Sequence, residues 1–217
     1  MVDLHAECDL FIRGQRAIAG VDEVGRGAWA GPVTAAAVIL PHTAYVNREL
    51  LWGVTDSKQL SARQREYWDK RIRTVAVAVG VSFVPPRIID SIGIAPAAQR
   101  AMVGALDRLT VAPDHVIVDA FALPRACAYA AIHDAVVSAD QRCLAVAAAS
   151  ICAKVARDRL MRRLHVQYPS YGFSSHKGYG THRHREQLRA DGPTPLHRWS
   201  FAPVRDNARC GASKLVS

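Results

Sequence analysis

Short apolar runs bounded by glycine or proline recur along the first two thirds of the chain. Ala17 to Val24 and Pro32 to Leu40 are two such runs, and the Gly-Arg-Gly segment between them predicts a turn that joins two strands. Thr74 to Val84 alternates valine with alanine or glycine, which predicts a third strand. His115 to Asp119 predicts a fourth strand, and a fifth is expected within residues 130–137.

Segments of helical composition alternate with these strands. Ser61 is predicted to cap the helix that follows it, and helical composition returns over residues 95–109. The longest predicted helix, residues 144–165, begins rich in alanine and becomes rich in arginine. A last helix is expected over Thr181 to Ala190, with the threonine as its N-cap. Strands followed by helices and further strands predict one α/β layer structure.

Basic residues are concentrated toward the C terminus. The 217-residue chain has 28 Lys and Arg against 19 Asp and Glu, a formal net charge of +9. Residues 1–153 contain 15 of each kind, whereas residues 154–217 contain 13 basic and 4 acidic residues, so the whole excess lies in that last part. This asymmetry favours a polyanionic partner such as nucleic acid. A basic, solvated helix face without a partner is the alternative.

Several classes of protein find no support in the sequence. Half of the residues are apolar and 22% are charged, which is typical of a folded protein. No apolar run approaches the ~20 residues that span a bilayer, and residues 1–7 lack the basic-then-apolar order of a secretory signal. The five cysteines form no C-x-x-C pair, a pattern typical of a reduced, cytoplasmic protein. We therefore expect a cytoplasmic protein that does not enter a membrane.

Four acidic residues lie in apolar settings where a charge is unfavourable. Asp22 and Glu23 end the first apolar run, Asp119 ends the fourth strand, and Asp140 precedes the alanine-rich helix. Carboxylates that meet at strand ends suit Mg²⁺ or Mn²⁺. Because consecutive strand residues point to opposite faces, Asp22 and Glu23 can share a site only where the strand ends or bulges, which Gly25 permits. A strand-end acidic pair in a turn, and helix capping by Asp119, are the alternatives.

Two glycine-rich segments are suited to contact a sugar-phosphate backbone. Gly25, Arg26 and Gly27 combine close backbone approach with one guanidinium, although an ordinary hairpin turn with a surface arginine has the same residues. In residues 176–181, Tyr179 lies between two glycines and beside basic residues. Its ring can stack on a base or pack against a sugar. An aromatic plug in a small apolar core is an equally weighted alternative.

Taken together, these segments resemble bacterial ribonuclease HII, the type 2 ribonuclease H family. The resemblance runs from about Ala19 to about Val204 and rests on motifs in the family order. The motifs are Gly20-Val-Asp-Glu-Val-Gly-Arg-Gly27 with Ala30-Gly-Pro-Val33, Thr55-Asp-Ser-Lys-Gln-Leu60, Val118-Asp119, Ala147-Ala-Ala-Ser-Ile-Cys-Ala-Lys-Val-Ala-Arg-Asp158, Tyr168-Pro-Ser-Tyr-Gly-Phe173, His176-Lys-Gly-Tyr-Gly-Thr181 and His197-Arg-Trp-Ser-Phe-Ala-Pro203.

The resemblance implies a ribonuclease H-like α/β fold, with a mixed five-stranded sheet flanked by helices and a C-terminal helical segment. We expect residues 1–165 to form the catalytic core, and residues 166–217 to form a basic substrate-binding segment whose tail lacks order from about residue 205. The resemblance further implies a metal-dependent endonuclease that cleaves RNA in RNA–DNA hybrids. It would also incise 5′ of ribonucleotides embedded in duplex DNA, leave 3′-hydroxyl and 5′-phosphate ends, use two Mg²⁺ or Mn²⁺ ions, and act as a monomer.

By the same resemblance, the family's catalytic and metal-binding acids fall on Asp22, Glu23, Asp119 and Asp140. Around the fourth acid, the usual Lys-Gly-Asp-x-x-Ser pattern is replaced by Ser-Ala-Asp-Gln-Arg-Cys, and Asp134 is the competing candidate. Substrate contacts are expected at seven positions: Gly25, Arg26, Gly27, Lys58, Lys154, Lys177 and Tyr179.

In this view the Gly-Arg-Gly backbone contacts the 2′-hydroxyl, and Tyr179 packs against the neighbouring deoxyribose at an RNA–DNA junction. Basic residues from Lys154 onward would bind phosphates without reading bases. Two other functions stay open at this point. One is a non-catalytic nucleic-acid-binding protein with a dead site, and the other is a two-metal nuclease of the resolvase or transposase type.

Overall fold

The computed structural model describes residue 2 and residues 4–212, with the backbone alone at residues 48 and 208–212. The strands are β1 (Ile18–Val24), β2 (Val33–Ile39), β3 (Ala78–Val84), β4 (His115–Asp119) and β5 (His133–Val136). The α-helices in the described residues are α1 (His5–Ile12), α2 (His42–Val46), α3 (Ala62–Val75), α4 (Pro86–Ile92), α5 (Ile94–Leu106), α6 (Ala139–Arg142), α7 (Leu144–Gln167), α8 (Phe173–His176), α9 (His182–Asp191) and α10 (Ala202–Ala212). Short 3-10 helices lie at Arg48–Leu51, Ser57–Gln59 and Pro169–Tyr171. No helix in this described part of the chain is long and apolar enough to cross a membrane.

The five strands form one mixed sheet in the order β3-β2-β1-β4-β5. β1 pairs antiparallel with β2 and parallel with β4, and β4 pairs parallel with β5. The central strand β1 is buried from Ile18 to Asp22, which explains its near-continuous apolar sequence. The mixed five-stranded sheet expected from the sequence is therefore confirmed.

The chain divides into two compact units. Unit 1 comprises Met1–Val24, Thr34–Ser82 and Gln99–Val155, and unit 2 comprises Gly25–Val33, Phe83–Ala98 and Ala156–Ser217. The division near residue 165 that the sequence suggests stays a prediction.

In unit 1, the alanine-rich start of α7 packs against the sheet. Gly20 of β1 lies so close to this helix that a Cβ atom there would be 2.2 Å from the carbonyl carbon of Ala145. Glu7 of α1 is buried, and its Oε1 accepts a hydrogen bond from the Ala145 N–H at 2.9 Å. Alanines in this half of α7 allow the close approach, and Gly20 leaves the space for it. These contacts hold β1, and so the acids at its end, against the helix.

Unit 2 has a small aromatic core of its own. Phe173 is fully buried, stacks on Tyr171 with ring centroids 5.5 Å apart, and packs with Ala30 and Met161. α9 follows at Thr181, whose hydroxyl oxygen accepts the N–H of His184 at the helix start. The predicted N-cap is thus confirmed.

Six helices in the described residues lie where the sequence predicts none: α1, α2, α4, α6, α8 and α10. Pro86 is the first residue of α4. Proline is favourable there because the N–H of a first helical residue makes no hydrogen bond within the helix, so its absence costs nothing. α10 spans Ala202–Ala212 and so includes part of the tail that is expected to lack order, an expectation that stays a prediction. Residues 213–217 of the tail lie outside the described residues.

Candidate active site

The ends of β1 and β4 bring Asp22 and Asp119 to the same edge of the sheet. The last parallel pair between these strands is Val21 with Val118, so the next residue on each strand is an acid. Because the two strands run in the same direction, their carboxyl ends lie side by side. Asp22 is buried, and Asp119 is half-buried. The strand assignment made from sequence therefore places these two acids correctly.

At Asp22 and Glu23, β1 is hydrogen-bonded to a neighbouring strand on one side only. Its pairing with β4 ends at Val21, whereas its pairing with β2 continues through Glu23 to Val24. The β2 register shows no bulge at Asp22 or Glu23, and Gly25, with φ of 89°, comes only after them. The strand end that the sequence argument required is therefore present on the β4 side alone. The N–H of Glu23 donates to Asp22 Oδ1 at 2.7 Å, which fixes one oxygen of that carboxylate.

Asp119 also holds the start of α6. Its Oδ1 accepts a hydrogen bond from the N–H of Ala139, the first residue of this helix, at 2.8 Å. The helix-capping alternative is thus confirmed for one of the two carboxylate oxygens. This hydrogen bond holds α6, and with it Asp140, next to Asp119. Asp119 can therefore cap the helix and still belong to the group of acids.

Asp140 is buried in α6 and forms an ion pair with Lys58. The Lys58 Nζ lies 3.3 Å from Asp140 Oδ2 and 3.8 Å from Asp56 Oδ1. The competing candidate Asp134 has a side chain that is 65% exposed, and it accepts a hydrogen bond from His115 Nε2 at 2.9 Å. Burial and charge therefore associate Asp140, and not Asp134, with the other acids. The sequence marks Lys58 as a substrate contact and gives no sign that it pairs with an acid.

The four carboxylates interact electrostatically. Burial raises the pKa of Asp22 well above its ordinary value, and the charges of Glu23, Asp119 and Asp140 raise it further. Burial and Asp119 also raise the pKa of Asp140, against the lowering effect of Lys58. Burial alone would lower the pKa of Lys58, but the surrounding carboxylates, Asp140 foremost, outweigh it and raise that pKa. A cation among these acids would relieve their repulsion.

The donor set suits a hard divalent cation by its chemistry. All four groups offer carboxylate oxygens, which Mg²⁺ and Mn²⁺ prefer, and the Lys58 ammonium already places a positive charge against Asp140. Among the described residues, however, no three His, Cys, Asp or Glu side chains are arranged to hold a metal ion as they stand. The carboxylates must therefore turn or draw together to share one ion.

The Gly-Arg-Gly segment forms a tight turn at the start of unit 2. Gly25 is buried at a positive φ, and its carbonyl accepts the N–H of Ala28 at 3.4 Å. Arg26 is half-buried. Gly27 is exposed, and nothing lies within 4 Å of the position that a Cβ would take. The turn thus presents open backbone at Gly27, and the contact role expected for the segment stays a prediction.

Tyr179 is half-buried, and its ring faces the guanidinium of Arg157. The Cζ atom of Arg157 is 5.3 Å from the ring centroid, a cation–π arrangement. The Tyr179 N–H donates to the carbonyl of His176 at 2.9 Å, and its own carbonyl accepts the N–H of Thr181 at 2.9 Å. This setting differs from the apolar plug that the sequence left open.

Two buried histidines support the backbone at Tyr179. The ring nitrogen Nδ1 of His184 lies 2.9 Å from the Tyr179 carbonyl, which can only accept, so this nitrogen donates. When both rings are neutral, His184 Nε2 then accepts from His197 Nε2 at 3.0 Å, and His197 Nδ1 accepts from the Thr194 N–H at 3.0 Å. Burial lowers the pKa of His184 to about 4 and that of His197 to about 3. An ordered chain of neutral rings therefore ends on the Tyr179 carbonyl.

Some basic residues do not have the surface role that the charge pattern suggests. Arg157 and Arg198 are fully buried and donate to backbone carbonyls, so the expected phosphate contact is wrong for them. Lys177 donates through Nζ to the carbonyl of Ser174 in its own segment, and Lys154 is half-buried on α7. No local feature of the sequence distinguishes the buried arginines from their exposed neighbours.

Comparison with known proteins agrees with this geometry. Residues 19–204 match the family model of ribonuclease HII. The chain is 51% identical over 202 residues to ribonuclease HII of Chloroflexus aurantiacus, which covers 93% of this chain and 94% of that relative. The chain belongs to the ribonuclease HII family. Its identity to ribonuclease HII of Halalkalibacterium halodurans is 45%, over 94% of this chain and 74% of that one.

Solved structures confirm the ribonuclease H-like fold of this chain. Ribonuclease H2 from Pyrococcus horikoshii OT3 matches with a TM-score of 0.75 and 28% identity, over 88% of this chain and 97% of that one. Bst-RNase HIII, solved in complex with Mn²⁺, matches in fold with a TM-score of 0.68 and 20% identity, over 92% of this chain and 71% of that one. As a member of this metal-dependent family, the protein is a hydrolase, an endonuclease that acts on RNA in RNA–DNA hybrids.

Proposed function

We propose that this protein also incises duplex DNA 5′ of single embedded ribonucleotides, as in ribonucleotide excision repair, and leaves 3′-hydroxyl and 5′-phosphate ends. The observation that carries the proposal is that the parallel strands β1 and β4 bring Asp22 and Asp119 to one edge of the sheet. Burial first, and then the charges of Glu23, Asp119 and Asp140, raise the pKa of Asp22 there. Strongly perturbed carboxylates at one edge of a sheet are typical of a catalytic site.

Mg²⁺ or Mn²⁺ would be held by Asp22, Glu23, Asp119 and Asp140. Such ions, when bound, activate water and stabilise the leaving oxygen of a phosphodiester. The backbone bonds to Asp22 and Asp119 restrict the rotation of these carboxylates, so each presents its second oxygen in a limited range of directions. Lys58 neutralises Asp140, and because its side chain is 80% exposed it can also approach a substrate phosphate.

A lone ribonucleotide differs from its DNA neighbours by its 2′-hydroxyl. We assign recognition of this hydroxyl to the backbone of Gly25 to Gly27 with Arg26, supported by the open space above Gly27. Tyr179 would pack against the adjacent deoxyribose, supported by its partial exposure and its firmly bonded backbone. The ring would then distinguish an RNA–DNA junction from continuous RNA.

Phosphate contacts complete the proposed interface. Lys154, Lys177 and the exposed arginines of residues 154–217 would bind the duplex through its backbone, independent of base sequence. The monomeric state and the cytoplasmic location expected from the sequence belong to the same proposal. None of Cys8, Cys127, Cys143 and Cys152 forms a disulfide, which supports that location.

An Asp119→Asn variant tests the catalytic site, with Asp134→Asn as its matched control. The asparagine carbonyl can still accept the Ala139 N–H, so α6 stays capped while the negative charge is lost. Cleavage of a duplex with one ribonucleotide, measured with Mg²⁺ or Mn²⁺, should fall by about 10³-fold or more, as expected when several kcal/mol of electrostatic stabilisation are removed. Asp134→Asn should retain activity within about twofold, because that residue is exposed and bound to His115.

Three results would contradict the proposal. Near-normal turnover by Asp119→Asn would remove that acid from the site. Loss of activity in Asp134→Asn instead would make Asp134 the fourth acid. Equal cleavage of an all-DNA duplex would replace ribonucleotide recognition with general nuclease activity. The ends are checked on the same products, since a 5′-phosphate blocks labelling by polynucleotide kinase until phosphatase removes it.

A further inference from the structure

Two fully buried arginines of unit 2 hold the loop that begins with Gly25. Arg198 donates through its two terminal nitrogens to the carbonyls of Gly25 and Arg26, both at 2.7 Å, and through Nε to the carbonyl of Gly31 at 3.0 Å. Three donors of one planar guanidinium thus fix three carbonyls of the loop. Arg198 is therefore an anchor of the loop's backbone.

Arg157 binds the far end of the same loop. Its Nε donates to the carbonyl of Pro32 at 2.9 Å, and its Nη2 donates to the carbonyl of Ala30 at 3.2 Å. It also lies against Gly25, where an added Cβ would be 2.2 Å from the Arg157 Nε atom. The guanidinium therefore fills the space that a side chain at position 25 would need.

The same guanidinium supports the ring of Tyr179, at 5.3 Å from its centroid. A cation–π contact is stronger when it is shielded from water, so the buried guanidinium favours one position of the half-buried ring. The backbone at Tyr179 is fixed separately through His184 and the carbonyl of His176. Arg157 thus touches both elements to which substrate recognition was assigned above, the Gly-Arg-Gly loop and the tyrosine ring.

An ordinary packing role accounts poorly for this arginine. Burial lowers the pKa of Arg157, and burial with the repulsion of Arg157 lowers that of Arg198 to about 9, so holding both as cations is unfavourable. The Nη1 atom of Arg157 is buried and has no hydrogen-bond partner. An apolar side chain of similar size would avoid both penalties, but it could not bond the loop carbonyls and face the ring at once.

We propose that Arg157 is a positioning residue that couples the Gly25–Gly27 loop to Tyr179, so that 2′-hydroxyl recognition and junction sensing depend on each other. This inference rests on the proposed roles of the loop and of Tyr179. In physical terms, the carbonyls of Ala30 and Pro32 orient the guanidinium, which packs against Gly25, and the guanidinium orients the Tyr179 ring.

The test is a double-mutant cycle read as substrate discrimination. Arg157→Met, Arg157→Lys, Tyr179→Ala and the Arg157→Met/Tyr179→Ala double variant are assayed on two duplexes. One carries a single ribonucleotide in DNA, and the other pairs an uninterrupted RNA strand with DNA. The readout is the ratio of kcat/KM on the first duplex to kcat/KM on the second, with kcat and KM resolved for each.

Tyr179→Ala should lower this ratio by roughly tenfold, the equivalent of about 1.4 kcal/mol. Arg157→Met should lower it to within about threefold of the Tyr179→Ala value, and the double variant should fall no further, because both changes remove one interaction. Arg157→Lys should lie between, since an ammonium keeps the charge without the planar face.

Arg185→Met is the matched control. The Arg185 guanidinium also lies over an aromatic ring, with its Cζ atom 5.6 Å from the ring centroid of Trp29. Unlike Arg157, however, Arg185 is exposed. Its loss should weaken binding to both duplexes alike and leave the ratio unchanged within about twofold.

Each outcome decides one claim. A Tyr179→Ala ratio equal to wild type would overturn the proposed role of the tyrosine itself. If that ratio falls but the Arg157→Met ratio does not, or if the two effects multiply in the double variant, the coupling is overturned and the proposed function stands. If Arg157→Met fails to fold by circular dichroism, Arg157→Lys decides: a ratio lowered at least threefold supports coupling, and an unchanged ratio refutes it.

Discussion

The ion pair of Lys58 with Asp140 allows a quantitative test of where the cation binds. Two unit charges 3.3 Å apart attract by about 5 kcal/mol at an effective dielectric constant of 20, and by about 1.3 kcal/mol in water. Because the Lys58 side chain is 80% exposed, the lower figure applies, and side-chain entropy reduces it to roughly 1 kcal/mol or less. For a chain of this length, that is a decrease of about 2–4 °C in Tm. We expect the Tm of metal-free Lys58→Met to lie below that of wild type by no more than this.

Divalent cations should remove most of that difference. An ion at the acids supplies the positive charge that Lys58 provided, and in the variant no ammonium competes for Asp140. The rise in Tm on adding Mg²⁺ should therefore be larger in Lys58→Met than in wild type. Ligand at 100 times its Kd stabilises a folded protein by about 2.7 kcal/mol, so the effect is large against the loss.

Thermal unfolding followed by circular dichroism, in EDTA and across a Mg²⁺ titration, measures both quantities. Lys70→Met is the matched control, since Lys70 is exposed on α3. It should respond to Mg²⁺ as wild type does. A loss of about 3 kcal/mol or more in metal-free Lys58→Met would show a buried ion pair instead. Equal Mg²⁺ responses in Lys58→Met and wild type would refute a cation site shared with Lys58.

Three further measurements follow from the charges described above. Asp22→Asn should raise the metal-free Tm at neutral pH and reduce the rise in Tm on adding Mg²⁺. The raised pKa of Asp22 means that the folded protein binds more protons than the unfolded chain, so the charged carboxylate lowers the stability of the fold as pH rises. A lower Tm in the variant would contradict this. The lowered pKa values of His184 and His197 mean that the unfolded chain binds more protons below about pH 6.5, so stability should fall as pH drops from there toward about 4. His197→Gln should flatten that fall, and an unchanged pH profile would place the titration elsewhere. Affinity for duplex should decrease steeply with salt, with a slope of about −0.9 per phosphate neutralised; a flat response would exclude phosphate contacts as the main source of binding.

Features with local signals could be predicted from the sequence. β4 covers His115–Asp119 as predicted, and Ser61 caps α3 in a reciprocal bond pair with Gln64. The positions of Asp22 and Asp119 at strand ends could be predicted because a strand ends, or the chain turns, where an apolar run stops. β3 begins at Ala78 and not at residue 74 because α3 continues to Val75, a boundary that propensity alone does not define.

The partners of three basic residues, Arg157, Arg198 and Lys58, could not be predicted from the sequence. Arg157 and Arg198 count toward the basic excess of the last third, yet their acceptors are the carbonyls of Pro32 and Gly25, 125 and 173 positions away. Lys58 and Asp140 are likewise 82 positions apart. Local composition carries no information about such partners, so a basic residue that supports a loop has the same signature as one in solvent.

The unequal pairing of β1 has a consequence for how its acidic tip responds to ions. Beyond Val21 the strand is anchored along one margin only, by β2. A strand tip that is paired on one side has fewer ladder hydrogen bonds to distort when it bends than a strand inside the sheet. Small shifts of Asp22 and Glu23 would therefore leave the central ladder intact. Compliance of this kind would let arriving cations adjust the spacing of the carboxylates, and let departing ones release it, without any loosening of the fold around them.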